Sequence, residues 1–248
     1  MKFFEYGKKE NPAVLLIHGM GCSAINSFGM AKELLEDRYR IIIVALDGHD
    51  GEDGDFSSII EQAEKITSFI ERSYNGRLNA VLGMSLGGFI TLELICKHNI
   101  YVEKVIIESG YMNNLPFPKI IAGLAAWGFR SVVEDKNRII TRLGMRLIMG
   151  YCFSGEKLYF EASPKTIYNC EFSCLTYKLP DNLEKLKAVR LQYLYGAKEK
   201  FMINGMKTLK KYIPNLIEIC MGSVGHGEIM FTNPKEYACL VEKTLLTQ

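Results

Sequence analysis

The sequence predicts an α/β fold: an open, mostly parallel sheet wound on both faces by helices. Three observations carry this. Short, almost uninterrupted apolar runs such as Val14-Leu15-Leu16-Ile17 and Ile41-Ile42-Ile43-Val44 have the pattern of strands covered on both faces. Longer amphipathic segments alternate with these runs, as connections between parallel strands require. The alternation breaks once, from Met112 to Leu186. There Pro116, Pro118, Pro164 and Pro180 and the lack of a convincing buried strand point to a mostly helical insertion over one end of the sheet. Residues 1–111 and 187–248 are therefore read as the core and 112–186 as a helical cap, or lid.

Taken in order, the strands fall at Val14–His18, Arg40–Leu46, Asn79–Gly83, Lys104–Glu108, Arg190–Tyr195 and Leu216–Cys220. Helices are expected at Ser27–Leu35, Ser57–Ser73, Leu86–His98, Met202–Tyr212 and Lys235–Leu246. The second opens on a Ser/Glu pair and carries Ile59, Ala63, Ile66 and Ile70 at helical spacing. Within the insertion, apolar clusters lie at Ile139-Ile140, Leu143, Met145 and Leu147–Met149.

The composition excludes several classes. With 48% hydrophobic and 23% charged residues, the 248-residue chain can bury a sizeable core and is not disordered. A formal net charge of +2, with no block of basic residues, gives no field to attract nucleic acid or an anionic membrane. The longest nearly uncharged stretch, Ile120–Phe129, is about half the ~20 residues that a membrane span needs. No signal-peptide core follows the N-terminus, so the chain is read as cytoplasmic. The seven cysteines are scattered and odd in number, which does not suggest a disulfide framework. Cys170 and Cys174 share a helix face with no histidine near them, and read as core rather than zinc ligands.

Two glycine-rich turns carry chemistry. Gly83-Met84-Ser85-Leu86-Gly87 fills the pattern G-x-S-x-G between an apolar strand and a helix. A serine held on so tight a corner needs glycine two residues before and after it, because side chains there would collide. The following helix turns its free N–H groups and positive end toward the serine. Earlier, Ile17-His18-Gly19-Met20-Gly21 follows a strong strand, and its glycines permit backbone N–H groups to face a substrate oxygen. The Met20 and Leu86 amides are the candidate oxyanion donors. His18 reads as a support for the loop. Asp47 and His49, after the second strand, read first as turn and helix-start hydrogen bonding and second as pocket rim.

Together with Asp47-Gly48-His49-Asp50-Gly51 and Gly225-His226-Gly227, these motifs resemble the α/β-hydrolase superfamily in their order along the chain. The resemblance covers nearly everything except the insertion, which sits where the family places its lid. It implies an eight-stranded, mostly parallel sheet, and the order nucleophile, acid, histidine. Ser85 is then the nucleophile and His226 its base. The acid is expected three residues after Gly196, at Glu199. A glutamate there departs from the commoner aspartate, and Lys198 and Lys200 flank it as they would a solvated charge run. Glu108, at the end of the Lys104–Glu108 strand, is the rival. Gly19, Met84 and Trp127 are expected near the substrate; Leu124, Trp127 and Phe129, in the stretch Ile120–Phe129, read equally as lining an apolar pocket and as ordinary lid core.

The activity implied is hydrolysis of a small or medium carboxylic ester or thioester through an acyl-enzyme. Carbon–carbon bond hydrolysis or a lyase step is the alternative, since family members with Gly-Met-Ser-Leu-Gly-Gly turns do such chemistry. A non-catalytic small-ligand-binding member is a further one. Epoxide and haloalkane hydrolysis would need an aspartate where Ser85 stands. No cofactor or metal is implied. The partner expected is a small-molecule acyl substrate; self-association into a homodimer is left open.

Overall fold

A computed structural model describes residues 1–52, 54–134, 162–180 and 183–246, with 129–134 as backbone alone. The apolar runs form β2 (Ala13–Ile17), β3 (Arg40–Ala45), β4 (Arg77–Met84), β5 (Tyr101–Glu108), β6 (Arg190–Tyr195) and β7 (Ile217–Cys220). A further strand, β1 (Lys2–Tyr6), lies at the edge. The order is β1-β3-β2-β4-β5-β6-β7, with β1 antiparallel to β3 and every other pair parallel. The described residues thus hold seven strands, where the resemblance implied eight.

The continuous apolar runs are explained by what lies on each face. Leu15 and Ile17 of β2 pack with Ile42 and Val44 of β3 and Val81 of β4 under α2 (Ile59–Tyr74) and α3 (Leu86–Lys97). Val14 and Leu16 pack with Ile41, Ile43, Ala80 and Leu82 under α1 (Ala24–Leu35) and the C-terminal helix. Side chains alternate across a strand, so two cores demand an unbroken run. In β1 the same alternation sends Phe3 against Phe69 of α2, their rings stacked at 3.7 Å, and Phe4 and Tyr6 to the opposite core.

Helix ends follow local capping where the cap is local. Ser58 accepts from the Glu61 N–H to start α2, and Asn75 ends it at a φ of 51°. The expected start of α1 at Ser27 is three residues late. Ser23 caps it locally, and the Ala24 N–H is taken by Asp50, a residue from another loop.

Between β5 and β6 the described residues form α4 (Pro118–Glu134), α5 (Pro164–Thr176) and α6 (Glu184–Ala188). The clusters Ile139-Ile140, Leu143, Met145 and Leu147–Met149 lie outside the described residues. α5 packs on α4 and is pinned at both ends. Near its start, Thr166 Oγ1 accepts from the Phe56 N–H at 3.1 Å and Asn169 donates to the Phe56 carbonyl at 2.7 Å. Past its end, Tyr177 donates to Glu93 at 3.1 Å and meets the Phe89 ring edge-on. Completing the chain are α7 (Lys200–Tyr212), α8 (Glu228–Thr232) and α9 (Pro234–Leu246). No described helix is long and apolar enough to cross a membrane.

Candidate active site

Parallel strands place their C-terminal ends together, and loops from those ends build the site. Ile17 pairs with Gly83, Met84 with Glu108, and Glu108 with Leu194. The turns after β2, β4, β5 and β6 are therefore neighbours whatever their distance in sequence.

Ser85 sits at the β4–α3 corner with φ 52° and ψ −118°. A positive φ on a non-glycine residue in such a region costs on the order of 1–3 kcal/mol and persists only where the surroundings enforce it. Here they do. The Ser85 N–H donates to the Glu108 carbonyl at 2.8 Å, and its carbonyl accepts from Gly88 at 2.8 Å. A Cβ at position 83 would strike the Gly87 carbonyl and Thr91; one at 87 would strike the carbonyl of Ile17. The serine itself is half-buried.

His226, on the loop after β7, reaches Ser85 across the sheet edge. Its Nε2 lies 2.8 Å from Ser85 Oγ, and its Nδ1 lies 2.7 Å from Glu199 Oε1. Because an ionised carboxylate only accepts, Nδ1 carries the hydrogen and Nε2 accepts from the serine hydroxyl. The other Glu199 oxygen accepts from Ser109 Oγ at 2.8 Å and from the Gly196 N–H. Glu199 is 3% exposed, so its flanking lysines do not make it a solvated charge. Lys198 turns away to Glu228. The acid loop and the histidine loop are pressed together: Ala197 donates to Gly222 and Lys198 to Val224, and a Cβ on Gly196 would strike the Val224 carbonyl.

Glu108 lies beneath this chain. It is fully buried and accepts from Tyr237 at 2.6 Å, while its other oxygen has no partner among the described residues. Burial pushes its carboxyl up to about 7, against the Tyr237 hydroxyl and with the Glu199 charge. The structure joins Glu199 to His226, and leaves Glu108 bonded to a tyrosine.

The glycine loop after β2 lies beside the serine. A Cβ on Gly19 would stand 3.2 Å from Ser85 Cβ. Two buried imidazoles hold this loop. His18 Nε2 accepts from the Leu46 N–H at 3.1 Å, which leaves Nδ1 to donate to the Gly19 carbonyl at 2.7 Å. His49 Nε2 accepts from the Gly21 N–H at 3.0 Å. Burial holds His18 down at about 3, and also lowers His49, so both are neutral. The Gly21 and Cys22 amides are taken, by His49 and by the Gly19 carbonyl. Among the described residues the Met20 and Leu86 amides have no acceptor. Met84 is 3% exposed, its Cε between the loops, 3.6 Å from the Cβ position of Gly19 and 2.8 Å from that of Gly227. Trp127 is 56% exposed on α4, on one stripe with Phe117, Ile120 and Leu124.

Asp47 accepts from Gln62, Lys65 and the N-terminal amine, so it ties β1 and α2 to the end of β3. Three contributors escaped the sequence: His49 as a loop support, Ser109 as a donor to the acid, and Tyr237 as the partner of Glu108. Only His49 lay in a quoted motif. The other two act across 90 and 129 residues, with no local pattern to mark them.

A family model described as the alpha/beta hydrolase fold matches residues 12–159, more than half of the chain. This chain belongs to the α/β-hydrolase fold family. The match spans the glycine loop and the serine corner and ends before Glu199 and His226. No curated protein is significantly similar to this hydrolase in sequence. Among solved structures it resembles an alpha/beta hydrolase family protein from Desulfitobacterium hafniense, with TM-score 0.81, 20% identity, and 98% of this chain and 100% of that one covered. A structure from a study of carboxylesterases of Nitrososphaera gargenis gives 0.77 and 16%, covering 98% and 93%. An esterase from Exiguobacterium antarcticum gives 0.76 and 17%, covering 99% and 95%.

The crowding at the hydrolase's corner predicts a folding defect. Gly87→Ala places a methyl against the backbone carbonyl of Ile17, which β2 cannot move without breaking its pairing with β4. Overpacking of this kind costs about 2 kcal/mol or more. The expected result is a melting temperature lower by roughly 5 °C or more, or no soluble protein. Melting within a degree of wild type would contradict it.

Proposed function

We propose that this hydrolase cleaves a carboxylic ester or thioester of a small or medium acyl group by two-step acyl transfer. The observation that carries the reading is the continuous hydrogen-bonded chain from Glu199 through His226 to Ser85, at 2.7 and 2.8 Å, ending on a half-buried hydroxyl. The esterases among its structural relatives agree with it.

In the first step Ser85 Oγ attacks the acyl carbon as its proton passes to His226 Nε2. The carbonyl oxygen takes up the negative charge and the Met20 and Leu86 amides stabilise it, each worth on the order of 3 kcal/mol. His226 returns the proton to the departing alcohol or thiol, leaving an acyl-serine. Water then attacks that ester, giving its proton to Nε2, and the carboxylic acid leaves as Ser85 regains its hydrogen. Glu199 fixes the imidazole tautomer and stabilises the imidazolium. Residues 112–186 form the lid over a core of 1–111 and 187–248. Gly19 lets the acyl group pass close to the serine, and Met84 and Trp127 contact the substrate.

The test is to incubate the protein with a fluorophosphonate and p-nitrophenyl butyrate. Butyrate release, lost in step with a single phosphonyl adduct mapped to Ser85, is expected. An adduct elsewhere, or ester cleavage that survives full labelling of Ser85, overturns the reading.

The pH profile follows from His226. Burial alone would lower its pKa; the Glu199 hydrogen bond and the charges of Glu199, Glu108 and Glu171 outweigh burial and raise it. The base works unprotonated, so kcat/KM rises with pH through a midpoint above the ordinary imidazole value of about 6.5. A midpoint below that value would contradict this charge balance.

A further inference from the structure

The turn that carries the Met20 amide, Gly19 to Cys22, is closed by the Cys22 N–H on the Gly19 carbonyl at 3.4 Å. Gly21 supplies the positive φ, 66°, that a type II turn needs at its third residue. A bond that long does little to hold a turn, and glycine at the third position lets the peptide between Met20 and Gly21 flip at small cost. Two peptide planes meet at the Met20 Cα, and each is held by one imidazole. In the plane before it, the Gly19 carbonyl accepts from His18 Nδ1 at 2.7 Å. In the plane after it, the Gly21 N–H donates to His49 Nε2 at 3.0 Å. A trans peptide points its N–H away from its carbonyl, so whatever fixes the Gly19 carbonyl fixes the direction of the Met20 N–H. His49 contributes by keeping the turn closed, and with it the second hydrogen bond on that carbonyl.

His49 is itself built in. Its Nδ1 lies 3.0 Å from the Asp47 carbonyl, which can only accept, so Nδ1 carries the hydrogen and Nε2 keeps the lone pair that Gly21 needs. The residue is 2% exposed, and its ring meets that of the fully buried His18 edge-on at 5.0 Å. Behind it, the buried Thr166 side chain of α5 fills the space that a Cβ on Gly48 would take, and so wedges the backbone that carries His49. Beside it, Asp50 accepts from the Ala24 N–H at 2.6 Å. The loop after β3 is therefore stitched to the start of α1 independently of His49. Removing the imidazole frees Gly21 without detaching the loop.

We propose that His49 is a positioning residue for acyl transfer, holding the Gly21 amide so that the turn stays closed and the Met20 N–H stays aimed at the oxyanion. This rests on the reading of Ser85 as nucleophile and of Met20 as an oxyanion donor. The imidazole acts through that donor and touches no reacting atom. The oxyanion develops only on the way to the tetrahedral state, so kcat carries the effect and KM does not.

The experiment compares wild type with His49→Leu, which removes the acceptor, and His49→Gln, whose side-chain oxygen can reach the Gly21 N–H. Hydrolysis of p-nitrophenyl butyrate gives kcat and KM. Inhibition by 1,1,1-trifluoropentan-2-one reads the oxyanion directly: Ser85 Oγ adds to the ketone carbon, the hydroxyl proton passes to His226 Nε2, and the former carbonyl oxygen carries the negative charge. His49→Leu is expected to lower kcat by about 100-fold, to change KM by less than about threefold, and to weaken the ketone by the same factor as kcat. His49→Gln should recover both to within about tenfold of wild type. Thermal melting confirms that each variant is folded; a merely structural residue would lower melting without tying kcat to ketone affinity. A folded His49→Leu with kcat within about threefold of wild type, a fall in kcat with ketone affinity unchanged, or a His49→Gln as impaired as His49→Leu overturns the proposal. Should His49→Leu not fold, nitrogen-15 spectra of the histidine rings in wild type at pH 8 decide: a hydrogen on His49 Nδ1 and a bare Nε2 are expected, and a hydrogen on Nε2 overturns it. A wild type that neither cleaves the ester nor binds the ketone ends the acyl-transfer reading and this one with it. A wild type that does both, matched by its variants, ends only the role of His49.

Discussion

Replacing Ser85 with alanine is expected to lower kcat for a short-chain p-nitrophenyl ester by about 10⁵–10⁶-fold while leaving the fold intact. The magnitude is that of removing a serine nucleophile whose base and acid act with it as one unit. What remains would come from the Met20 and Leu86 amides and from substrate binding. Stability should move little, because alanine keeps the backbone of serine at the corner and loses only the hydrogen bond to His226. Glycine at the same position should behave differently. Ser85 holds a φ of 52°, which glycine adopts at no steric cost. Ser85→Gly should therefore be as inactive as Ser85→Ala, yet melt higher than either alanine variant or wild type. Strain of this kind is retained where function needs it and released where function is lost. Kinetics with thermal melting on the three proteins decides the matter. Activity within a hundredfold of wild type in Ser85→Ala would remove Ser85 from the chemistry, and a lower melting temperature in Ser85→Gly would remove strain from the account of the corner.

Much of this arrangement was legible because its determinants are local. Five of the seven strands, β2 to β6, carry apolar runs buried on both faces, a direct consequence of lying inside a parallel sheet, whereas β7 is a short and mostly exposed edge strand. Lys2–Tyr6 escaped because an edge strand is half-exposed, and its Lys-Phe-Phe-Glu-Tyr is too polar to mark a buried run. The serine corner could be read because steric crowding fixes glycine at 83 and 87. The choice between Glu199 and Glu108 could not be made from residue types. Both follow apolar strands, and those strands, β5 and β6, are neighbours although about eighty residues separate them in sequence. Which carboxyl faces the imidazole depends on side-chain direction at the sheet edge. Glu108, still within the strand, points down toward Tyr237; Glu199, four residues past the end of β6, folds back over its own loop to His226. The lysines around Glu199 were equally uninformative, since a loop can turn consecutive side chains in opposite directions.

That difference in direction predicts the ranking of two isosteric substitutions. Glu199→Gln should lower kcat by about 10³–10⁴-fold, and Glu108→Gln by less than tenfold. At 199 the amide must either leave the imidazole unheld or present an N–H to Nδ1. The second choice forces the hydrogen onto Nε2, where it faces Ser85 Oγ and cannot accept its proton; a wrong tautomer alone has an effect of this size. The fold should survive, because the amide oxygen can still accept from Ser109 and Gly196. At 108 glutamine imitates the protonated acid that burial favours, and its oxygen can keep the Tyr237 hydrogen bond. Its effect should appear in stability instead. Glu108 has a folded pKa raised to about 7, well above its unfolded value, so the stabilisation it contributes is complete at low pH and is lost as pH rises through 7. Glu108→Gln has no proton to lose. It should melt close to wild type at pH 5 and above it at pH 8, with its kcat/KM limb displaced slightly to lower pH by loss of one charge near His226. Kinetics and melting at the two pH values on both variants test all of this. If Glu108→Gln were the crippled enzyme and Glu199→Gln the active one, the hydrogen bond at 2.7 Å between Glu199 and His226 would have to be a feature of the resting protein alone, and the acid of the mechanism would move to β5.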